Sequence, residues 1–356
     1  MRRFTLIAAL VAAMLAIPTT SGAASAVPRS DPPPDPPTRV VAHEQAIIGV
    51  GSDTTETLFE RLAADYNRSF GRAAPLGSWR ATGSSPIVPK AGCDPIARPN
   101  GSSPGIAALA TRQVLADGRA CVDFARSLAP RAPGAPPNSV FLPIARDAIT
   151  YAHNRRSNAP AALSIDQLRA IIECRATRWE QVGGTSAEAI DVFLPEVGPG
   201  LLALLGHMGG VTAIGSCVRT VQQDQGTDPL LVGNRNALVF YAVGKYIGQA
   251  VYGHSDEHGD LVLGDINGIP ATVFNPVTRR VEINVGQVRG IPSAPESFRI
   301  TEYVVVLRDA SGAVPPRIER LFAGPGSWLC KSPAASDAIA DYGFLPLASA
   351  DCGRPS

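Results

Sequence analysis

The chain has 356 residues, 45% of them hydrophobic and 6% aromatic, with 32 Lys and Arg against 31 Asp and Glu for a net charge of +1. That length favours two folding units over one, and the near-neutral balance offers no broad electrostatic footprint for nucleic acid or acidic lipid. Lysine occurs only at 90, 245 and 331, so almost all positive charge is arginine.

The N-terminus reads Met1-Arg2-Arg3, an apolar run from Leu6 to Pro18, then Ala24-Ser25-Ala26. A basic start, a short apolar core and a small-x-small site are the three parts of a secretory signal peptide, and the run is too short to serve comfortably as a permanent span. Cleavage is expected after Ala26, giving a secreted chain that does not insert into the membrane. No cysteine lies at the cleavage site for lipid attachment. Residues 27–44, rich in Pro and charge, read as an extended solvated linker.

The six cysteines are Cys93, Cys121, Cys174, Cys217, Cys330 and Cys352. An even count in an exported chain reads as disulfides, and the three sequence-neighbour pairs 93–121, 174–217 and 330–352 are the expected pairing. No CxxC pair exists and no histidine stands near a cysteine at zinc-site spacing, so no metal and no cofactor is expected.

Ala46 to Gly51 is an apolar run that predicts a short buried strand, followed by the turn Ser52-Asp53-Thr54-Thr55. Leu58, Phe59, Leu62, Ala63, Tyr66 and Phe70 recur at helical spacing, so a helix should run to about Phe70. Asp53 with Glu56 three residues on resembles a capping box. A second turn-to-helix unit is Asn100-Gly101-Ser102-Ser103-Pro104-Gly105, with Ser103 as N-cap, Pro104 at the first helical position and apolar residues continuing to Leu115. Val140 to Ile144 and Ala148 to Tyr151 read as separate strand-like segments, Leu163 to Ile172 continues the alternation, and Asn236 to Tyr241 and Tyr303 to Leu307 predict further buried strands. Residues 251–295 are irregular, with a hairpin expected in Ala271 to Val285.

Two helix N-termini thus present hydroxyls and unpaired backbone N–H groups, one at Ser52-Asp53-Thr54-Thr55 and one at Ser102-Ser103. Free first-turn N–H groups and the helix dipole favour a negative ligand there.

In order and spacing, GVGSDTTETLFERLAADYN, PNGSSPGIAALATRQVLADGRACVDFARSLAP, FLPIARDAITYAHN and QQDQGTDPLLVGNRNALVFYAVGKYI resemble the periplasmic-type phosphate-binding protein family, with secreted actinobacterial homologues the nearest in character. The resemblance implies an α/β, two-lobed periplasmic-binding-protein-like fold with hinge strands and a central cleft. Lobe 1 would comprise 45–147, completed by 296–356, and lobe 2 would comprise 148–250, with 251–295 as an elaboration. It implies a small anion, phosphate first, as ligand, and leaves an ABC importer open as a partner. Carried over residue by residue, Ser52, Asp53 and Thr54 fall in the first ligand loop and Ser102 and Ser103 at the second helix N-terminus. Arg126 and Ser127 fall in the third loop, with Gly198 and Gly200 as backbone contributors from lobe 2. Two positions depart from the family pattern. Leu128 stands where members selecting protonated phosphate carry Asp, and Val197-Gly198-Pro199-Gly200-Leu201 replaces a donor-rich Gly-Ser-Gly-Thr turn.

Two other functions match parts of the sequence. An interaction module that has lost its small ligand would also fit the departures. A secreted serine hydrolase is suggested by the GxSxG match at 101–105, with Asp147 and His153 downstream. The latter fails on mechanism, because no strand pattern precedes the serine and Pro104 has no N–H for an oxyanion. His254 to His258, with two imidazoles and two carboxylates, reads as a solvated loop.

Overall fold

The computed structural model describes residues 44–70, 74–195, 205, 210–284 and 299–355. The expected signal peptide, all but the last residue of the expected linker, and Gly198 and Gly200 lie outside these residues. The apolar segment Ile47–Gly51 forms strand β1. Its alternation sends Ile47 into one core and Ala46, Ile48 and Val50 into another. A strand buried on both faces needs a layer on each side. Helix α1 (Glu56–Phe70) lays Leu58, Phe59, Leu62 and Ala63 on the Ile47 side, and α2 (Ser102–Ala110) puts Leu109 on the other.

The remaining strands in chain order are β2 (Leu76–Ser78), β3 (Phe124–Ser127), β4 (Ser139–Asn154), β5 (Ala162–Leu163), β6 (Asp191–Leu194) and β7 (Arg219–Thr220). They continue with β8 (Ala237–Ala242), β9 (Leu261–Leu263), β10 (Asp265–Ile266), β11 (Thr272–Asn275), β12 (Arg280–Ile283), β13 (Arg299–Leu307) and β14 (Leu345–Pro346). Among the described residues one sheet runs β2-β1-β3-β13-β4-β8-β6-β7, with β9 and β14 also on β4. The first part of β4, Ser139 to Ala148, pairs antiparallel with β13. Its last part, from Ile149, pairs with β8 and β9. The two lobes of the fold therefore share a sheet through β4. The strand is unbroken where the sequence suggested two segments, because the polar pair between them does not interrupt it: Asp147 is buried and takes the N–H groups of Ala148 and Gly244, both at 2.7 Å.

Beyond β4, helix α3 (Ile165–Ile172) packs Leu168, Ile171 and Ile172 with Trp179, Tyr151 and Leu238 in one core. Helix α4 (Val243–Ala250) packs Val243 and Ile247 with Ala148 and the base of the β11–β12 hairpin on another face. The C-terminal helices α5 (Pro316–Phe322), α6 (Trp328–Lys331) and α7 (Pro333–Asp341) return to the core that holds Ile47 of β1 and Leu58 of α1. There Phe322 meets Phe59 and Phe124 at ring-centroid distances of 6.3 and 5.0 Å. Such pairs add about 1 kcal/mol each beyond area burial.

Disulfides join Cys93–Cys121, Cys174–Cys217 and Cys330–Cys352, the neighbour pairing. Helix α2 corrects the sequence reading at both ends. Its N-cap is Gly101, not Ser103, since a φ of 100° lets the chain turn one step earlier and the Gly101 carbonyl takes the Gly105 N–H at 3.1 Å. It stops at Ala110 rather than near Leu115, because Leu115 is drawn into a turn whose N–H bonds Arg119 O at 2.8 Å.

Candidate functional site

The loop after β1 begins at Gly51, whose φ of 117° and closeness to the Arg126 backbone, 2.6 Å from where a Cβ would sit, both require glycine. Gly105 of α2 is as constrained, since a Cβ there would lie 2.5 Å from Gly51 Cα. Two glycines thus bring the start of α2 backbone to backbone against the end of β1. From there Ser52, Asp53, Thr54, Thr55 and Glu56 are all buried, an unusual density of polar groups for a protein interior.

Arg126, at the inner end of β3, is fully buried. Its Nε donates to Ser52 O at 2.8 Å, Nη2 donates to Gly51 O at 3.1 Å, and Nη1 donates to Ser78 Oγ. Burial pulls its pKa down to about 10, against the support of Glu56, Asp53 and Glu60. The guanidinium remains charged at neutral pH and ties the first loop in place through its carbonyls. The expected Asp53–Glu56 capping box does not form: the Asp53 carboxylate goes to Gln222, and Glu56 Oε2 accepts the Ala81 N–H at 2.8 Å. Tertiary partners outcompete the local pair.

Facing this loop is the segment Gln222-Gln223-Asp224, which follows β7. Gln222 Nε2 donates to Asp53 Oδ2 at 3.0 Å and to Asn100 Oδ1 at 3.1 Å, and Asn100 Nδ2 returns a bond to Gln222 Oε1 at 2.7 Å. Thr54 Oγ1 donates to Asp224 Oδ2 at 2.8 Å and accepts from Gln223 Nε2 at 2.8 Å. Asp224 is buried at φ 52°, a left-handed conformation that costs a non-glycine residue on the order of 1 kcal/mol or more. It is held there by Ala242 N–H on its carboxylate at 2.8 Å and by Tyr241 Oη and Gln249 Nε2 on its carbonyl at 2.5 and 3.0 Å. From α4, Lys245 Nζ reaches Asp53 O at 3.2 Å, with Glu257 at 3.4 Å and Glu56 at 3.6 Å. Burial opposes its charge, but Glu56, Glu257, Asp53 and Asp224 outweigh that and raise its pKa.

Carboxylates outnumber cations here. Burial, then the neighbouring Asp224, pushes the Asp53 carboxyl well above its ordinary range, and burial also raises Asp224. Where β4 and β13 run together, burial raises Asp147 to about 7, and burial followed by Asp147 raises Glu302. Among the described residues several buried oxygens of this cluster have no hydrogen-bond partner: Asp53 Oδ1, Thr55 Oγ1, Glu56 Oε1, Asp147 Oδ2 and both carboxylate oxygens of Glu302. An unmade bond at a buried polar atom costs about 1–3 kcal/mol, more for a charge.

Of the residues singled out in the sequence, the structure gathers Ser52, Asp53, Thr54 and Arg126 at one point. Ser102 Oγ instead accepts the Leu128 N–H at 3.2 Å, tying the start of α2 to the residue after β3. Ser103 is exposed, and the Ser127 hydroxyl is spent on its own turn, bonding Ala129 O at 2.9 Å. Sequence reading missed Asn100, Gln222 and Lys245. A signal existed for the last, a rare lysine inside an apolar helix. The tryptophans serve packing: Trp79 and Trp179 are buried and Trp328 meets Tyr66 edge-on. His254 stacks on Tyr342 at 3.9 Å while His258 faces Tyr246. Among the described residues no group of three or more His, Cys, Asp or Glu is placed to hold a metal ion.

A family model described as PBP superfamily domain matches residues 40–229, more than half of the chain. The chain belongs to the PBP superfamily. The fold agrees with solved structures of low identity. An ABC-type phosphate transport receptor from Vibrio cholerae is 17% identical with a TM-score of 0.54, covering 85% of this chain and 100% of its own. A putative phosphate ABC transporter substrate-binding protein with bound phosphate from Clostridium perfringens is 14% identical with a TM-score of 0.56, covering 85% and 99%. None of the curated proteins compared matches this chain by sequence. The matched span of the PBP model includes β1, α2, β3 and the Gln222–Asp224 segment.

Proposed function

We propose that this protein is a secreted, non-enzymatic solute-binding protein that captures a small oxyanion, phosphate first, between its lobes. The observation that carries this reading is the first turn of α1. Its N-terminal end carries positive dipole, and just before it Thr55 Oγ1 and Asp53 Oδ1 are each buried with no partner among the described residues. A hydroxyl can donate to an anionic oxygen, and a carboxylate can accept a hydrogen bond from an O–H of the ligand. A hydrogen-bearing oxyanion satisfies both, which inorganic phosphate does. The Vibrio and Clostridium proteins, by their descriptions, handle phosphate on the same fold. An ABC importer is the partner this reading proposes. Three disulfides and the signal-like N-terminus support an oxidising compartment. The hydrolase alternative finds no support in the geometry, since Ser103 is exposed and His153 Nδ1 faces Asn154 O at 2.9 Å.

The test is thermal unfolding of the mature oxidised protein against phosphate, with sulfate as a matched control. A ligand at 100 times its Kd stabilises by about 2.7 kcal/mol. A saturating shift with phosphate beyond that with sulfate supports the reading. Equal shifts with both would refute it in favour of an interaction module, the alternative that the mutually satisfied Asn100–Gln222 amide pair favours.

A further inference from the structure

Asp224 is fixed within the second lobe by three bonds that do not involve the first. Ala242 N–H holds its Oδ1, while Tyr241 and Gln249 hold its carbonyl. Its Oδ2 is the part that crosses to the first lobe, where Thr54 Oγ1 donates to it. A buried residue kept in the left-handed region by so many partners is a placed one. What it is placed against is notable in charge. Asp53 of the β1–α1 loop accepts from Gln222, two residues before Asp224, at 3.0 Å, and Lys245 reaches both the Asp53 carbonyl and Glu56; Asp147 of β4 and Glu302 of β13 are buried where those strands pair. On the cationic side are Lys245 of α4, bridged to Glu56 and Glu257, and Arg126 of β3, whose donors go to the loop carbonyls and Ser78. Tyr241, with its hydroxyl on the Asp224 carbonyl, is a further titratable neighbour.

Closing the lobes therefore brings a carboxylate of one lobe against a carboxylate of the other in a site with more acids than bases. Like charges drawn together out of water favour uptake of a proton. We infer that lobe closure is proton-linked, with Asp224 as the positioning residue that brings lobe 2 against Asp53 of lobe 1 and makes the closed form the one that holds an extra proton. The raised pKa values of Asp53 and Asp224 agree with this arrangement. The sign follows: the closed form is favoured on the acid side and weakens as pH rises. Capture and release of a solute would then follow local acidity as well as solute concentration. The inference deepens the proposed function but does not need phosphate for its test.

That test is small-angle scattering of the mature full chain in phosphate-free buffer from pH 5 to 9, for the wild type and Asp224→Asn. Asparagine tolerates the left-handed backbone and keeps an acceptor for Ala242, so the variant should fold. The wild type should hold a radius of gyration near the about 20 Å of a compact chain of this length at acid pH and expand as pH rises. The variant should stay compact throughout. Asp53→Asn should behave the same way from the opposite lobe. A wild-type radius flat across the range, or an Asp224→Asn radius that expands in step with the wild type, overturns the inference. Calorimetric phosphate titration of both proteins separates the two claims. No phosphate binding at any pH alongside a pH-dependent radius removes the proposed ligand and leaves the latch. Phosphate binding with a wild-type radius flat across the range keeps the ligand and removes the latch. Phosphate changes its own charge over this range, so the comparison is with the variant: the wild type should lose up to about tenfold more affinity per pH unit.

Discussion

Replacing Lys245 by methionine keeps most of the side-chain volume and removes one buried charge. The ammonium contacts Asp53 O at 3.2 Å, Glu257 Oε2 at 3.4 Å and Glu56 Oε1 at 3.6 Å. Both Lys245 and Glu56 are essentially shielded from solvent. Deleting one member of a buried ion pair leaves the other uncompensated and typically costs about 3–5 kcal/mol. Part of that cost comes from desolvated carboxylates that have lost their cation, and a carboxylate can shed it by taking up a proton. Lys245→Met should therefore lose about 3–5 kcal/mol at pH 7.5 and clearly less at pH 5. Urea unfolding of the oxidised protein at both pH values measures it, with equal m-values required for the comparison. A loss below about 1 kcal/mol at pH 7.5 would show that the lysine is not the counter-charge of this cluster. A loss equal at both pH values would assign it to packing alone.

Other outcomes follow from the same structure. Asp147 has its pKa raised from 3.8 to about 7, so the folded state binds more protons than the unfolded chain between those values. Its contribution is greatest below pH 4 and declines by on the order of 4 kcal/mol as pH climbs to about 7; Asp147→Asn, which keeps an acceptor for Ala148 and Gly244, should flatten that part of the stability–pH curve. Replacing Cys174 and Cys217 together by serine opens a loop with a sequence separation of 43 and should cost about 4 kcal/mol by loop entropy, read as a lower urea midpoint. Gly105→Ala forces a methyl within 2.5 Å of Gly51 Cα and should destabilise by about 1–3 kcal/mol while weakening any phosphate-induced thermal shift, because it moves α2 off the loop it supports.

Much of the architecture was legible. The run Ala46 to Gly51 and the helical spacing from Leu58 to Phe70 are strong local patterns, and both appear where periodicity put them. The loop residues Ser52, Asp53 and Thr54 were visible as a polar break between a strand and a helix. What they bond to was not. Asn100 and Gln222 are 122 residues apart, and nothing local in either segment announces a reciprocal amide pair. The Asp53–Glu56 motif misled for the opposite reason: its spacing suits a capping box, but Gln222 and Ala81, distant in sequence, claim the two carboxylates. Ser103 misled because its own preference for an N-cap lost to the backbone freedom of Gly101. Arg126 read as a ligand residue because the family resemblance put it in the third loop, but it lies within β3. Its position at the inner end of β3 turns it instead onto the carbonyls of the loop beside it.

The long strand Ser139–Asn154 has a mechanical meaning. Its first ten residues are stitched to β13 and its last six to β8 and β9. A segment laced into both halves cannot be melted from one without fraying the other. The protein should unfold in a single calorimetric transition, and neither half should survive when expressed alone. Pulled from its ends, it should give way in one rip, with a force set by the ladder between β4 and β13.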